Sequence, residues 1–290
     1  MPATVAFEAL HYAAFTLDTQ GGNPAGIVKD DPSWTTDDRI HIADVLGYSE
    51  TAFLHIPERP GDAFPVRFYS PRGEIAMCGH ATLATAFSIA DHLGAGVYGF
   101  LTGIGAVSVE VTRTSDDRQW YGELTGVPAR SEPASAEDVT ATLQALRWEE
   151  ADLDGRYPAH VLQPGNNHLL LAATKESSLA NLDYDFDHLR DVMSQRGWAT
   201  VHLIHAVDRN TFKVRAPFPT GGLFEDAATG SAAVAFGSYL RSIGAITAPA
   251  QVTTYQGHYA NRPCRLITNV PAEGSRITVA GTGRRLHKSR

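Results

Sequence analysis

Two glycine-led helix starts, half a chain apart, constrain this sequence more than anything else in it. Met77-Cys78-Gly79-His80-Ala81-Thr82 and Ala227-Ala228-Thr229-Gly230-Ser231-Ala232 each place a glycine, then an imidazole or hydroxyl side chain. The alanines and aliphatics that follow predict helices over 81–90 and 232–240. The first turn of a helix leaves backbone N–H groups unpaired at the positive end of the helix dipole, a seat for an anion that needs no Lys or Arg. A pair of such seats predicts a small carboxylate-bearing ligand held between two helix starts.

The repetition extends upstream in the same order. Val66-Arg67-Phe68-Tyr69-Ser70-Pro71 precedes the first helix, and Phe212-Lys213-Val214-Arg215-Ala216-Pro217 precedes the second. Earlier still, Gly22-Asn23-Pro24 leads into Ala25-Gly26-Ile27-Val28, and Gly165-Asn166-Asn167 leads into His168-Leu169-Leu170-Leu171. Ordered matches spaced by about half the chain predict two homologous halves. The boundary is placed where the sequence turns Ser/Pro/Ala-rich, giving halves over 1–122 and 123–290, with the last strand free to return to the first half.

A chain of 290 residues with 43% hydrophobic content accommodates two such domains. It holds no apolar stretch of about 18 residues, and its first residues lack a basic region followed by an apolar core, so a cytoplasmic protein with no membrane partner is expected. A net charge of −8 argues against nucleic acid as a partner, because phosphate neutralisation needs clustered Lys and Arg. The basic run from Arg284 to Arg290 reads as a solvated end. Cys78 and Cys264 form no Cys-x-x-Cys pair or disulfide framework, so no metal centre is expected. The pair His202 and His205 lies on a strand-like run, where positions three apart face opposite sides and do not chelate. Neither a GxGxxG after a strand nor a Walker lysine motif is present, so no cofactor is expected.

Locally, Thr35-Thr36-Asp37-Asp38 starts a helix carrying Ile40, Ala43 and Leu46, and Gly47 ends it. The chain then enters the β-rich run Ser49 to Ile56, which places Glu50 at a helix-to-strand junction. Strands are expected over 100–112 and 119–127, joined by a turn at Thr114-Ser115-Asp116-Asp117. Ser135-Ala136-Glu137-Asp138 starts a helix with Val139, Leu143 and Leu146 on one side, and β-rich segments close the chain from Gln251 to Ala280.

Taken together, Gly22-Asn23-Pro24-Ala25, Ser49-Glu50-Thr51-Ala52-Phe53, Cys78-Gly79-His80-Ala81-Thr82, Glu225-Asp226 with Thr229-Gly230-Ser231-Ala232, and Tyr255-Gln256-Gly257 resemble the signature blocks of the phenazine-biosynthesis PhzF-like family. The resemblance spans nearly the whole chain. It implies an α/β (α+β) fold of the diaminopimelate-epimerase-like type: two homologous domains, each a curled, mostly antiparallel sheet around a central helix, with the active site in the cleft between them. It also implies a cofactor-independent isomerase and a homodimer, the latter in keeping with the twofold preference of soluble oligomers. In that chemistry a glutamate moves a proton within a trans-2,3-dihydro-3-hydroxyanthranilate-like acid. The family's usual proline after the aspartate is Ala227 here, a departure that bears on loop stiffness and on specificity.

The residue chemistry agrees. Moving a proton between carbons needs one group that removes and returns it, and a carboxyl shielded from water serves. Glu50 is flanked by Thr51, Ala52 and Phe53, with no basic neighbour; its bland alternative is a strand-end glutamate. His80, one residue into a helix, sits where the dipole favours a neutral imidazole that donates or relays a proton, although a lone histidine there also serves as cap or core. By resemblance His80 becomes a second acid/base or orienting group, and Asp226 joins the site to orient His80 or a substrate amine. The same blocks assign Asn23, Gly79, Thr229, Gly230 and Ser231 to substrate binding; for Ser231 a plain capping role is equally compatible. Racemases of the related fold use two facing thiols, but the second helix start carries Thr229, so Cys78 reads as a buried structural cysteine. Two other functions stay open: an epimerase, racemase or lyase acting on an amino or hydroxy acid, and a non-catalytic small-anion binding protein.

Overall fold

The computed structural model of the protein describes residues 6–286 apart from 19, 60, 127 and 275; the N-terminal residues 1–5 and the basic end from residue 287 lie outside the described residues. The chain divides into two compact units, residues 1–127 with 280–290, and residues 128–279. The first unit runs β1 (Ala9–Thr16), β2 (Asn23–Lys29), α1 (Thr36–Leu46), β3 (Thr51–Leu54), β4 (Phe64–Ser70), β5 (Gly73–Ile75), α2 (Gly79–Leu93), β6 (Gly96–Thr102), β7 (Gly105–Arg113) and β8 (Trp120–Thr125). The second runs β9 (Arg130–Pro133), α3 (Ala136–Leu146), β10 (His160–Gln163), β11 (Asn167–Ala172), α4 (Glu176–Ala180), α5 (Phe186–Arg196), β12 (Trp198–Ala206), β13 (Thr211–Arg215), β14 (Pro217–Phe218), β15 (Leu223–Glu225), α6 (Gly230–Ser242), β16 (Ala250–Gln256) and β17 (Cys264–Val270). From Ala280 onward the last strand, β18 (Thr278–Arg285), belongs to the first unit.

One order of elements occurs twice. In each unit two antiparallel strands are followed by a helical connection and a strand parallel to the second. An antiparallel strand then leads into the long helix, and the strand after that helix lies parallel to the one before it. In the first unit the neighbours β1, β2, β3, β4, β6, β7, β8 and β18 close on themselves through the antiparallel β18–β1 pair. The ring surrounds α2, whose residues from Gly79 to Ala90 are all buried. A helix that is apolar all round must be enclosed, and its alanines let the strands approach closely. At Gly283 on β18 an added Cβ would lie 2.1 Å from the Phe87 ring of α2, so the approach there requires glycine. Each unit is thus a curled, mostly antiparallel sheet about a central helix, as the family resemblance implies.

Local chemistry accounts for the helix ends. Thr35 and Asp38 form a reciprocal capping box at α1, and Gly47 closes that helix in the left-handed conformation at φ 69°. Ser135 caps α3 by accepting from Asp138 N. In the second unit both faces of the parallel β11–β12 ladder are buried. Leu169, Leu171, Val201 and Leu203 join Leu143, Leu146, Leu189 and Met193 of α3 and α5 in one core, while the alternate residues His168 and His202 meet Ser231 and Phe236 of α6.

One expectation needs correction, and one strand carries no signal in the sequence. The strand expected over 100–112 is a hairpin, β6 and β7, with Thr102 paired to Gly105 across Gly103 and Ile104. The backbone turns through Gly105 at φ 115°, and the apolar alternation on both sides hides the break. The Ser/Pro/Ala-rich stretch near Arg130 carries strand β9, paired with β10 through Val161 and Glu132; its Arg-Ser-Glu-Pro sequence lacks β-formers, and tertiary pairing overrides propensity.

Candidate active site

Parallel pairing builds the first group. Gly26 of β2 lies opposite Thr51 of β3, so Asn23 at the start of β2 and Glu50 just before β3 emerge at the same end of the ladder. His80, in the first turn of α2, reaches both: its Nε2 is 3.3 Å from Glu50 Oε2 and its Nδ1 is 3.2 Å from Asn23 Nδ2. Glu50 is 6% exposed and His80 3%. Burial pushes the His80 imidazole down to about 3, so it is neutral at physiological pH and carries one ring proton. The Asn23 amide nitrogen can only donate, which makes Nδ1 the acceptor and places the proton on Nε2, donating to the Glu50 carboxylate. The contact is a hydrogen bond from a neutral donor and not an ion pair. The place of His80 in the first helical turn suggests the dipole as the cause of the neutral ring; in the structure that cause is desolvation by burial.

Cys78 is the residue before α2, which no side chain caps, and its Sγ is 3.3 Å from His80 Nδ1. Glu50, Cys78 and His80 each offer one ligand atom within 4.8 Å of the others, an O, S and N set of the kind that suits zinc. The same atoms already serve one another as hydrogen-bond partners.

The second unit carries a differently furnished counterpart. Asp226 Oδ2 accepts from Thr229 Oγ1 at 2.7 Å, and Gln256 Nε2 donates to Asp226 O at 2.9 Å and lies 3.0 Å from Thr229 Oγ1. Gln256 Oε1 accepts from Thr229 N at 3.2 Å. The loop is backed by Gly257 at φ +74°, where a Cβ would stand 2.6 Å from Ala227 O. It is pinned from the other side by a buried pair in which Arg215 Nε and Nη2 donate to Glu225 Oε2 and Oε1 at 2.8 and 3.0 Å, and by Asp226 N donating to Ala216 O. Asp226 therefore sits on a rigid support although it lies in a loop.

Ladder register aligns the two units. Val201 pairs with Leu169 as Thr51 pairs with Gly26, so Thr200 stands in the second unit where Glu50 stands in the first. The helix starts place Ser231 where His80 stands. The carboxylate and imidazole of one unit are hydroxyls in the other. Asn23, Glu50, Gly79 and His80 are brought together in the first unit, and Asp226 and Thr229 in the second, where Ser231 meets His168 next to Gly230 at the start of α6. Sequence reasoning missed Gln256 as a partner, although its block was visible, and missed His168 and Thr200, whose only signal was their place in the repeat.

The phenazine biosynthesis-like protein family model matches residues 12–288. The chain belongs to this family. An uncharacterized isomerase of Pseudomonas aeruginosa is 33% identical over 78% of this chain and 78% of its own. The trans-2,3-dihydro-3-hydroxyanthranilate isomerase of Pseudomonas chlororaphis is 26% identical over 94% of this chain and 96% of its own. Among solved structures, a predicted epimerase from Pseudomonas aeruginosa superposes with a TM-score of 0.84 at 24% identity, covering 97% of this chain and 98% of that one. The protein is a PhzF-like isomerase with a diaminopimelate-epimerase-like fold. Among the described residues no helix is long and apolar enough to cross a membrane.

Proposed function

We propose that this PhzF-like protein isomerises a small unsaturated cyclic amino or carboxylic acid of the trans-2,3-dihydro-3-hydroxyanthranilate type, with Glu50 as the proton shuttle and no cofactor. The observation that carries the reading is the buried Glu50 carboxylate held by a neutral His80 donor at 3.3 Å. One carboxylate oxygen receives Nε2–H, which fixes the carboxyl group in the first unit.

In the proposed step the Glu50 carboxylate takes a proton from a ring carbon, and the electron pair of that C–H bond moves into the conjugated system. The resulting carboxylic acid returns the proton to the far end of that system, so one C–H bond breaks, another forms and the double bond migrates without redox change. His80 holds the carboxyl rotamer throughout. In the first unit the first turn of α2 at Gly79 is a seat for a substrate oxygen, and in the second unit the first turn of α6 at Gly230, with Ser231 and Thr229 beside it, is another. Asp226, fixed by Thr229 and Gln256, orients the substrate amine. The same reading carries a cytoplasmic homodimer, which light scattering at micromolar concentration checks.

The test is turnover of trans-2,3-dihydro-3-hydroxyanthranilate in deuterium oxide, followed by NMR. Double-bond migration with deuterium at the receiving carbon is the expected result. Deuterium at a stereocentre without migration points to an epimerase, and binding without any exchange to a non-catalytic protein.

A further inference from the structure

We propose that His168 is a positioning residue that holds the Ser231 hydroxyl as an outward hydrogen-bond donor, so that the substrate group received there is an oxygen acceptor and not an amine. The inference rests on the reading above, in which Ser231 touches substrate.

His168 lies on β11, facing α6, and is 1% exposed. Its Nε2 is 3.1 Å from Ser231 Oγ, and its Nδ1 is 2.8 Å from Thr200 Oγ1. Ser231 itself is half-buried, so the hydroxyl is the accessible end of a three-residue chain whose other members are enclosed. Burial keeps the ring neutral, with one proton for two nitrogens. The ring therefore donates on one side and accepts on the other, and the two directions give opposite serines. With the proton on Nδ1, Ser231 spends its O–H on the ring and offers only lone pairs outward. With the proton on Nε2, Thr200 donates to Nδ1, Nε2–H donates to Ser231 Oγ, and the serine O–H is free.

The start of α6 selects the second direction. Its N-cap residue Thr229 makes no side-chain cap bond, and the first N–H groups of a helix call for an acceptor. A hydroxyl beside them that meets the same group has to donate as well. The chain from Thr200 through His168 to Ser231 then points every proton one way, and each bond polarises the next. His202 is a contrast within the same core. It faces α6 two residues after Thr200, is equally enclosed, and has no hydrogen-bond partner at either ring nitrogen among the described residues.

The experiment uses the full chain with 3-hydroxyanthranilate as an unreactive aromatic probe in titration calorimetry, alongside kinetics with trans-2,3-dihydro-3-hydroxyanthranilate. Ser231→Ala and His168→Leu should each weaken probe binding about tenfold and raise KM more than they lower kcat. The double variant should bind no worse than either single one. His168→Gln, whose amide can donate to Ser231, should recover most of the loss, and His202→Phe should leave affinity unchanged. Binding of 2-aminophenol, which lacks the carboxylate, should not respond to Ser231→Ala. Equal losses for His168→Leu with and without Ser231, or a His168→Gln as weak as His168→Leu, overturn the proposal. A Ser231→Ala that binds the probe as wild type does removes serine from the site, which fails the underlying reading and this inference with it. A wild-type chain that does not bind the probe fails the substrate class and the acceptor assignment together.

Discussion

Glu50 Oε2 and His80 Nε2 lie 3.3 Å apart with the proton on the imidazole, because Asn23 Nδ2 occupies the other ring nitrogen as a donor. That order of donors makes Asn23 as consequential as His80. Asn23→Asp replaces the donor by an acceptor, so Nδ1 has to carry the ring proton and Nε2 can no longer donate to Glu50. Turnover should fall by about tenfold or more while the fold persists, checked by kinetics beside circular dichroism. Unchanged turnover in Asn23→Asp would show that the tautomer does not matter.

The support under Asp226 is open to a stability measurement. Arg215 and Glu225 are 5% and 9% exposed and bonded through two parallel contacts. Arg215→Ala leaves a carboxylate buried without its partner, at a cost of about 3–5 kcal/mol in urea denaturation. A loss below about 1 kcal/mol would mean that the loop is held by Gln256 and the backbone alone.

Acid should weaken the protein in a defined window. Burial pushes His80, His168 and His202 each down to about 3, against about 6.5 when unfolded. Between those values the unfolded chain binds protons that the folded one does not, so stability falls as pH drops through the window and is flat with respect to these groups above about 7. Each ring contributes a slope of up to about 1.4 kcal/mol per pH unit. His202→Phe should reduce the slope measured by denaturation between pH 7 and pH 5; an unchanged slope would show that His202 is not the buried neutral ring described here.

Much of this arrangement is legible in the chain because it is local. Thr35 with Asp38 and Gly47 specify both ends of α1, and the alanine-rich runs after Gly79 and Gly230 specify helices that are enclosed on all sides. What is not legible depends on partners distant in sequence. Gln256 reaches Thr229 and Asp226 only because β16 brings it beneath the start of α6. His168 acquires its meaning from Thr200 and Ser231, neither of which is near it in the sequence. The β6–β7 hairpin is lost for the opposite reason, since apolar alternation on both sides of Gly103 imitates one continuous strand.

The central claim is that Glu50 carries the proton, and Glu50→Gln tests it most directly. The amide keeps the shape and most hydrogen bonds but cannot take up and return a proton. In deuterium oxide, isomerisation of trans-2,3-dihydro-3-hydroxyanthranilate by Glu50→Gln should fall by about two orders of magnitude or more, while calorimetric binding of 3-hydroxyanthranilate persists. Turnover by Glu50→Gln at the wild-type rate, on a substrate that the wild type converts, would contradict the account.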